Sequence, residues 1–164
     1  MSESTEFGFS YEYGIDINTG TTAAPVWTPI RFPSAIDPQS TPITQDAATY
    51  DDLGSPNAVK LSESWTAGFT IQQHRLGTGK YLPEVEKLLE LGGPDAVGNS
   101  ATGEFRWYDK PANGVPNPDE AYQGRATVQI NRQNTGNDQI GGWTVTLTGQ
   151  GRRTQIANPY TSGS

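Results

Sequence analysis

Ser64-Trp65-Thr66-Ala67-Gly68-Phe69-Thr70-Ile71-Gln72 decides the fold. Trp65, Ala67, Phe69 and Ile71 fall on one side of an extended chain and Thr66, Gly68, Thr70 and Gln72 on the other, the period-two pattern of a half-buried strand. The pattern recurs on both sides of this stretch. Toward the C-terminus, Ala126, Val128 and Ile130 alternate with Arg125, Thr127, Gln129 and Asn131, and Trp143, Val145 and Leu147 alternate with Thr144, Thr146 and Thr148. Between these two runs, Gln133-Asn134-Thr135-Gly136-Asn137-Asp138 is dense in residues that accept turn conformations, which predicts an antiparallel hairpin. A shorter strand is expected over 103–108. Toward the N-terminus, Phe7, Phe9, Tyr11, Tyr13, Ile15 and Ile17 are interleaved with small or polar residues and predict one long strand. A single helix is expected over 82–91, with Pro83 in its first turn, Glu84 and Glu86 near the positive end of its dipole and Gly92-Gly93-Pro94 as its stop.

Composition agrees with a mainly β chain. Of 164 residues, 33% are hydrophobic and 18% charged, while 19 glycines and 12 prolines exceed the average share of about 12%. Helical bundles are rich in Ala, Leu, Glu and Lys and poor in such breakers, so that class is excluded. The length suits one domain over 1–164. Within it, residues 32–63 carry Pro33, Pro38, Pro42 and Pro56 among polar residues, with hardly any apolar periodicity, and are expected to form a long loop. Residues 109–121 form a second proline-rich excursion. A leader over 1–6 and a polar tail over 152–164 flank the core. There is no internal repeat.

Chemistry of the catalytic kind finds little support. The chain has no cysteine and one histidine, which excludes a disulfide framework, a thiolate nucleophile and a histidine-rich metal site. Gly77-Thr78-Gly79-Lys80 lacks the first glycine of a phosphate-binding loop and its following Ser or Thr, and reads as a turn before Pro83. His74 has no Gly-x-Ser-x-Gly elbow to serve, and reads as a solvated side chain at a strand end. Asp51 and Asp52 point apart on an extended chain, so Tyr50-Asp51-Asp52-Leu53-Gly54 reads as a turn rather than a cation site. Trp65, Trp107 and Trp143 stand in step with aliphatic residues and are expected in the core; Trp27 adjoins the long loop. Met1 to Phe9 has neither the basic region nor the apolar run of a secretory signal, and no stretch reaches membrane-spanning length.

The net charge of −7 is uneven. Residues 1–63 hold nine acids and two bases, whereas 64–164 hold nine of each. Tight nucleic-acid binding needs a basic face and is disfavoured; a surface that repels DNA without gripping it is compatible.

Trp27-Thr28-Pro29-Ile30, Thr49-Tyr50-Asp51-Asp52-Leu53-Gly54, Ser64-Trp65-Thr66, the closing 143–151 segment and Ala157-Asn158-Pro159, in that order, resemble the major tail tube proteins of long-tailed, non-contractile bacteriophages. The resemblance covers about Gly8 to Pro159. It implies a β-sandwich or β-barrel core with one flanking helix, and a structural virion protein without catalytic, cofactor or metal sites. It further implies hexameric rings stacked into a hollow tail tube, made in the bacterial cytoplasm. On that resemblance the partners are further copies of the chain, the tape-measure protein, and the terminator and tail-tip proteins, with DNA passing through unbound and no membrane involved. The 32–63 segment becomes an inter-ring arm, and Trp27, Arg31, Tyr50, Asp51 and Asp52 become inter-ring contact candidates. Thr66, Thr70, Gln72, Thr127, Gln129 and Asn131 become lumen candidates, against which Arg125 and Arg132 would count if they shared that face. A tail terminator or connector ring, and a monomeric carbohydrate- or host-binding module, are the alternatives; a loop-built hydrolase has no nameable nucleophile and base.

Overall fold

A computed structural model describes residues 4–161. The strands are β1 (Tyr13–Asn18), β2 (Trp27–Pro29), β3 (Pro33–Asp46) and β4 (Ala58–Gln72), then, after helix α1 (Pro83–Leu91), β5 (Thr102–Asp109), β6 (Ala121–Gln133), β7 (Gly142–Gly149) and β8 (Thr154–Gln155). All pairings are antiparallel, in the order β2-β1-β5-β6-β7-β4-β3, with β8 beside the start of β6. The sheet curls into a half-barrel, so the protein is mainly β with one short helix.

One face of the sheet and α1 enclose the core. Trp65, Ala67, Phe69 and Ile71 meet Trp143, Val145, Leu147, Phe105, Trp107 and Ile15, and the helix adds Val85, Leu88 and Leu91. The helix lies close because two glycines make room: a methyl group at Gly103 would strike Leu91, and one at Gly92 would strike Ile130. Trp65 lies flat on Gly124 and Gly149, where an added Cβ would sit 2.5 and 2.4 Å from its ring, and its indole N–H donates to the Gly151 carbonyl at 3.1 Å. Gly124→Ala is therefore expected to push Trp65 off its seat and lower stability by about 1–3 kcal/mol, measured as a shift in the urea midpoint.

Two expectations need correction. The 32–63 segment is not a loop: β3 and β4 form a hairpin of twelve register pairs, from Pro33 opposite Ile71 to Asp46 opposite Ala58. Apolar alternation is missing there because β7 flanks β4 only over Thr66–Gln72, so the outer half has no core to face. Prolines are tolerated because β3 is an edge strand whose outward backbone needs no partner. The N-terminal strand starts at Tyr13, not Phe7. A turn in which Glu12 N–H donates to the Phe9 carbonyl breaks it, leaving Phe7, Phe9 and Tyr11 exposed. The polar tail is held against the body: Ile156 N–H donates to Ala121 and Asn158 Nδ2 to the carbonyls of Asp109 and Asn117. Residues 1–3 and 162–164 of the leader and tail lie outside the described residues.

Candidate functional site

The face of the sheet opposite the core carries the most consistent chemistry. Cross-strand register aligns Gln39, Thr66, Thr148, Thr127 and Thr102 in one row across β3, β4, β7, β6 and β5. The next rows hold Gly68, Thr146 and Gln129, then Ser34, Thr70, Thr144 and Asn131, then Gln72, Gly142 and Gln133. All six lumen candidates, Thr66, Thr70, Gln72, Thr127, Gln129 and Asn131, thus share one face. Thr144, Thr146 and Thr148 complete it; their alternation with Trp143, Val145 and Leu147 was the sequence signal for them.

Some hydroxyls and amides on this face are tied sideways, while those of Thr66, Thr127, Gln129, Asn131, Thr146 and Thr148 have no hydrogen-bond partner among the described residues. Thr70 Oγ1 bonds Ser34, and Thr144 Oγ1 donates to Gln133 Oε1. Charge is confined to the margins. Arg125 is exposed on this same face, opposite Glu104 in register at one border, and so counts against a lumenal role as expected above; Asp37 lies at the β3 edge. Arg132 stands opposite Trp143, so its parity puts it on the other side of the sheet.

Toward β1 the same face closes over. Asp16, 3% exposed, accepts from Arg106 Nε and the Tyr108 hydroxyl, each at 2.8 Å, and Arg106 lies 4.7 Å from the centre of the Trp27 ring. Burial, together with the charge and hydrogen bond of Asp16, drives the Tyr108 phenol well above its ordinary value and keeps it a donor. Trp27 is accordingly half-buried on β2 beneath Arg106, away from the arm.

The arm is the outer part of the β3–β4 hairpin. Its tip is a single 3-10 turn, Tyr50–Asp52, capped by Thr49, whose N–H is held by Asp52 Oδ2 at 2.8 Å. Leu53 adopts φ 54° and Gly54 φ 89°, reversing the chain as the sequence pattern predicted. Asp46 Oδ1 accepts from the N–H groups of Ala48 and Asn57, which bolts the base of the tip and holds its carboxyl below the usual range. Tyr50 and Leu53 are 99% and 92% exposed, and Ile43, Val59 and Leu61 continue the apolar surface down the shaft. At the root of the arm, Glu63 Oε1 sits 2.6 Å from Arg153 Nε of the tail, and that guanidinium covers Tyr122.

No protein-family model matches this chain, and no curated protein matches it.

Of the inter-ring candidates, Tyr50, Asp51 and Asp52 lie together at the arm tip, while Trp27 and Arg31 belong to the body of the domain. Arg31 clamps Glu84 at the start of α1 with contacts of 2.9 and 3.1 Å, and its own N–H donates to the same carboxylate. Leu53 was missed as a tip residue because a leucine in a turn motif gives no periodic signal. Other sequence expectations resolve simply. Trp65, Trp107 and Trp143 are core residues, Gly77–Lys80 is a turn closed by Leu76 N–H to Lys80, and His74 is half-buried and stacked on Phe32 rather than solvated. Among the described residues no three metal-binding side chains converge, and no helix is long and apolar enough to cross a membrane.

Proposed function

We propose that this chain is the repeating subunit of a hollow tube of the kind built by the major tail tube proteins of long-tailed, non-contractile bacteriophages. Six copies form a ring, rings stack, and the Thr-rich face lines the lumen through which DNA passes. The observation that carries this reading is that face. Five adjacent strands expose threonine, glutamine, asparagine and serine side chains in register, with Arg125 the one cation on this part of the face and set at its border, so a polyanion meets a mostly uncharged, polar surface. The arm supports the same reading, because a two-stranded projection with an apolar tip is poorly stable alone and suits a neighbouring ring. The tape-measure protein would occupy the lumen during assembly, and terminator and tip proteins would close the two ends, placing the chain in the virion tail.

The test is negative-stain electron microscopy with light scattering on the concentrated protein. Hollow tubes or stacked rings are expected. Single rings that never stack would favour a terminator or connector, and a strict monomer would favour a binding module using the exposed aromatics.

A further inference from the structure

The half-barrel is filled unevenly. At the end where β4 stops, α1 covers the sheet; toward the other end a groove of about 800 Å³ remains open, with Tyr13, Trp107 and Tyr122 among its lining. Trp107 is 1% exposed, and its indole N–H is a buried polar atom without a hydrogen-bond partner. That nitrogen is sealed from the groove, so recognition there falls to the groove's charge and its apolar wall. The groove is also acidic. Glu6, Glu12, Asp109 and Glu120 line it, while its one cation, Arg153, is already bound to Glu63.

The opposite end of the domain carries matching features. The turn Arg75-Leu76-Gly77-Thr78-Gly79-Lys80 projects there, with Leu76 exposed and with Arg75 and Lys80 in no ion pair among the described residues. Gly79 needs its glycine for φ 91°, but Gly77 has an ordinary φ and open space around it, so nothing within the chain requires glycine there. A bare backbone at the tip lets a carbonyl approach another surface closely. From Tyr122 at the groove to Gln133 beside the turn, β6 runs about 36 Å at 3.3 Å per residue, so the turn cannot reach the groove of its own chain.

We infer that the groove is the seat for the 75–80 turn of a second copy, which offers Arg75 and Lys80 to its carboxylates and Leu76 to its apolar wall. The contact joins different surfaces of identical chains and is head-to-tail, so, running between the two ends of the domain, it gives a stack of copies a direction. It rests on the tube reading and adds the pair of surfaces by which successive subunits register.

The absence of cysteine makes the test clean. The double variant Thr78→Cys, Val115→Cys places one thiol on the turn and one on the groove's lining, and is oxidised after assembly. A ladder of covalent multimers on a denaturing gel is expected, with dimers alone when the two single variants are mixed. Tubes that form but yield neither ladder nor mixed dimer would overturn the inference while leaving the tube reading intact. A ladder without tubes would support the head-to-tail contact and overturn the tube, whereas monomers without cross-links would overturn both.

Discussion

Arg31→Met is expected to lower stability at pH 7 by about 2–3 kcal/mol, among the largest effects of any surface-accessible substitution in this chain. Glu84 is fully buried at the first turn of α1, and the Arg31 side chain and backbone N–H provide its hydrogen-bond donors from outside the helix. Removing the guanidinium leaves a buried carboxylate with the backbone alone. Because half of Arg31 faces solvent, water replaces part of what is lost, which puts the cost below the roughly 3–5 kcal/mol of a fully enclosed pair.

The pH dependence separates this explanation from simple loss of packing. Burial raises the Glu84 carboxyl, but the Arg31 hydrogen bonds outweigh it and hold the group below its ordinary value of 4.5. A carboxyl depressed in the folded state contributes stability that is present above the unfolded value and lost as pH falls through the folded one. The wild type should therefore weaken on acidification below about pH 4.5. In Arg31→Met burial prevails and the carboxyl is raised, so the variant regains stability as Glu84 takes up a proton. Urea unfolding at pH 7 and pH 4 should show the gap between the two proteins narrowing. Arg31→Met with Glu84→Gln should be less damaged than Arg31→Met at pH 7. A gap of constant size across that range would show that the carboxylate is not the cause.

Shortening the arm should separate folding from assembly. Replacing Thr44–Leu61 by Asn-Gly joins Ile43 to Ser62, which are register partners, through a two-residue hairpin turn. The core, the Glu63–Arg153 contact and every β4–β7 pair remain, so the melting temperature should move by only a few degrees. What disappears is Tyr50, Leu53, Val59 and Leu61. Burying the first two alone would contribute about 3 kcal/mol or more to an intersubunit contact, so assembly should require about a hundredfold higher concentration. Sedimentation across a concentration series reads the change. Tubes forming at the original concentration would rule out the arm as a connector. A cut across all of 34–60 would be uninformative, because Ser34–Ser40 pair with the part of β4 that covers the core.

The two halves of the long hairpin show what the sequence made legible. Trp65, Ala67, Phe69 and Ile71 alternate because one side of β4 meets the core there, and the strand is obvious. Ala58–Ser64 are the same strand with only β3 beside them, so selection for burial leaves no mark and the segment resembles a loop. Phe7, Phe9 and Tyr11 fail in the opposite direction: they alternate like a strand, yet the turn at Glu12 takes them out of the sheet. Pro83 and the glycines after Leu91 located α1 because caps and stops are local signals. The part-buried Arg31–Glu84 and Asp16–Arg106 contacts join residues 53 and 90 apart, and no local pattern foretells them. The Thr-rich face was half legible; alternation identified each strand's polar side, but only register joined them.

Pro38 and Pro42 give the free edge of the sheet a grammar of its own. Neither has an N–H for β4, and they share a parity with Ser40, so the outward backbone from 38 to 42 presents three carbonyls and a single N–H. A strand from another molecule would find three acceptors but one donor and could not zip along it. Growth by endless addition of strands, the route to insoluble fibres, is blocked at this border. Under the assembly proposed above, recognition between copies is thereby left to side chains.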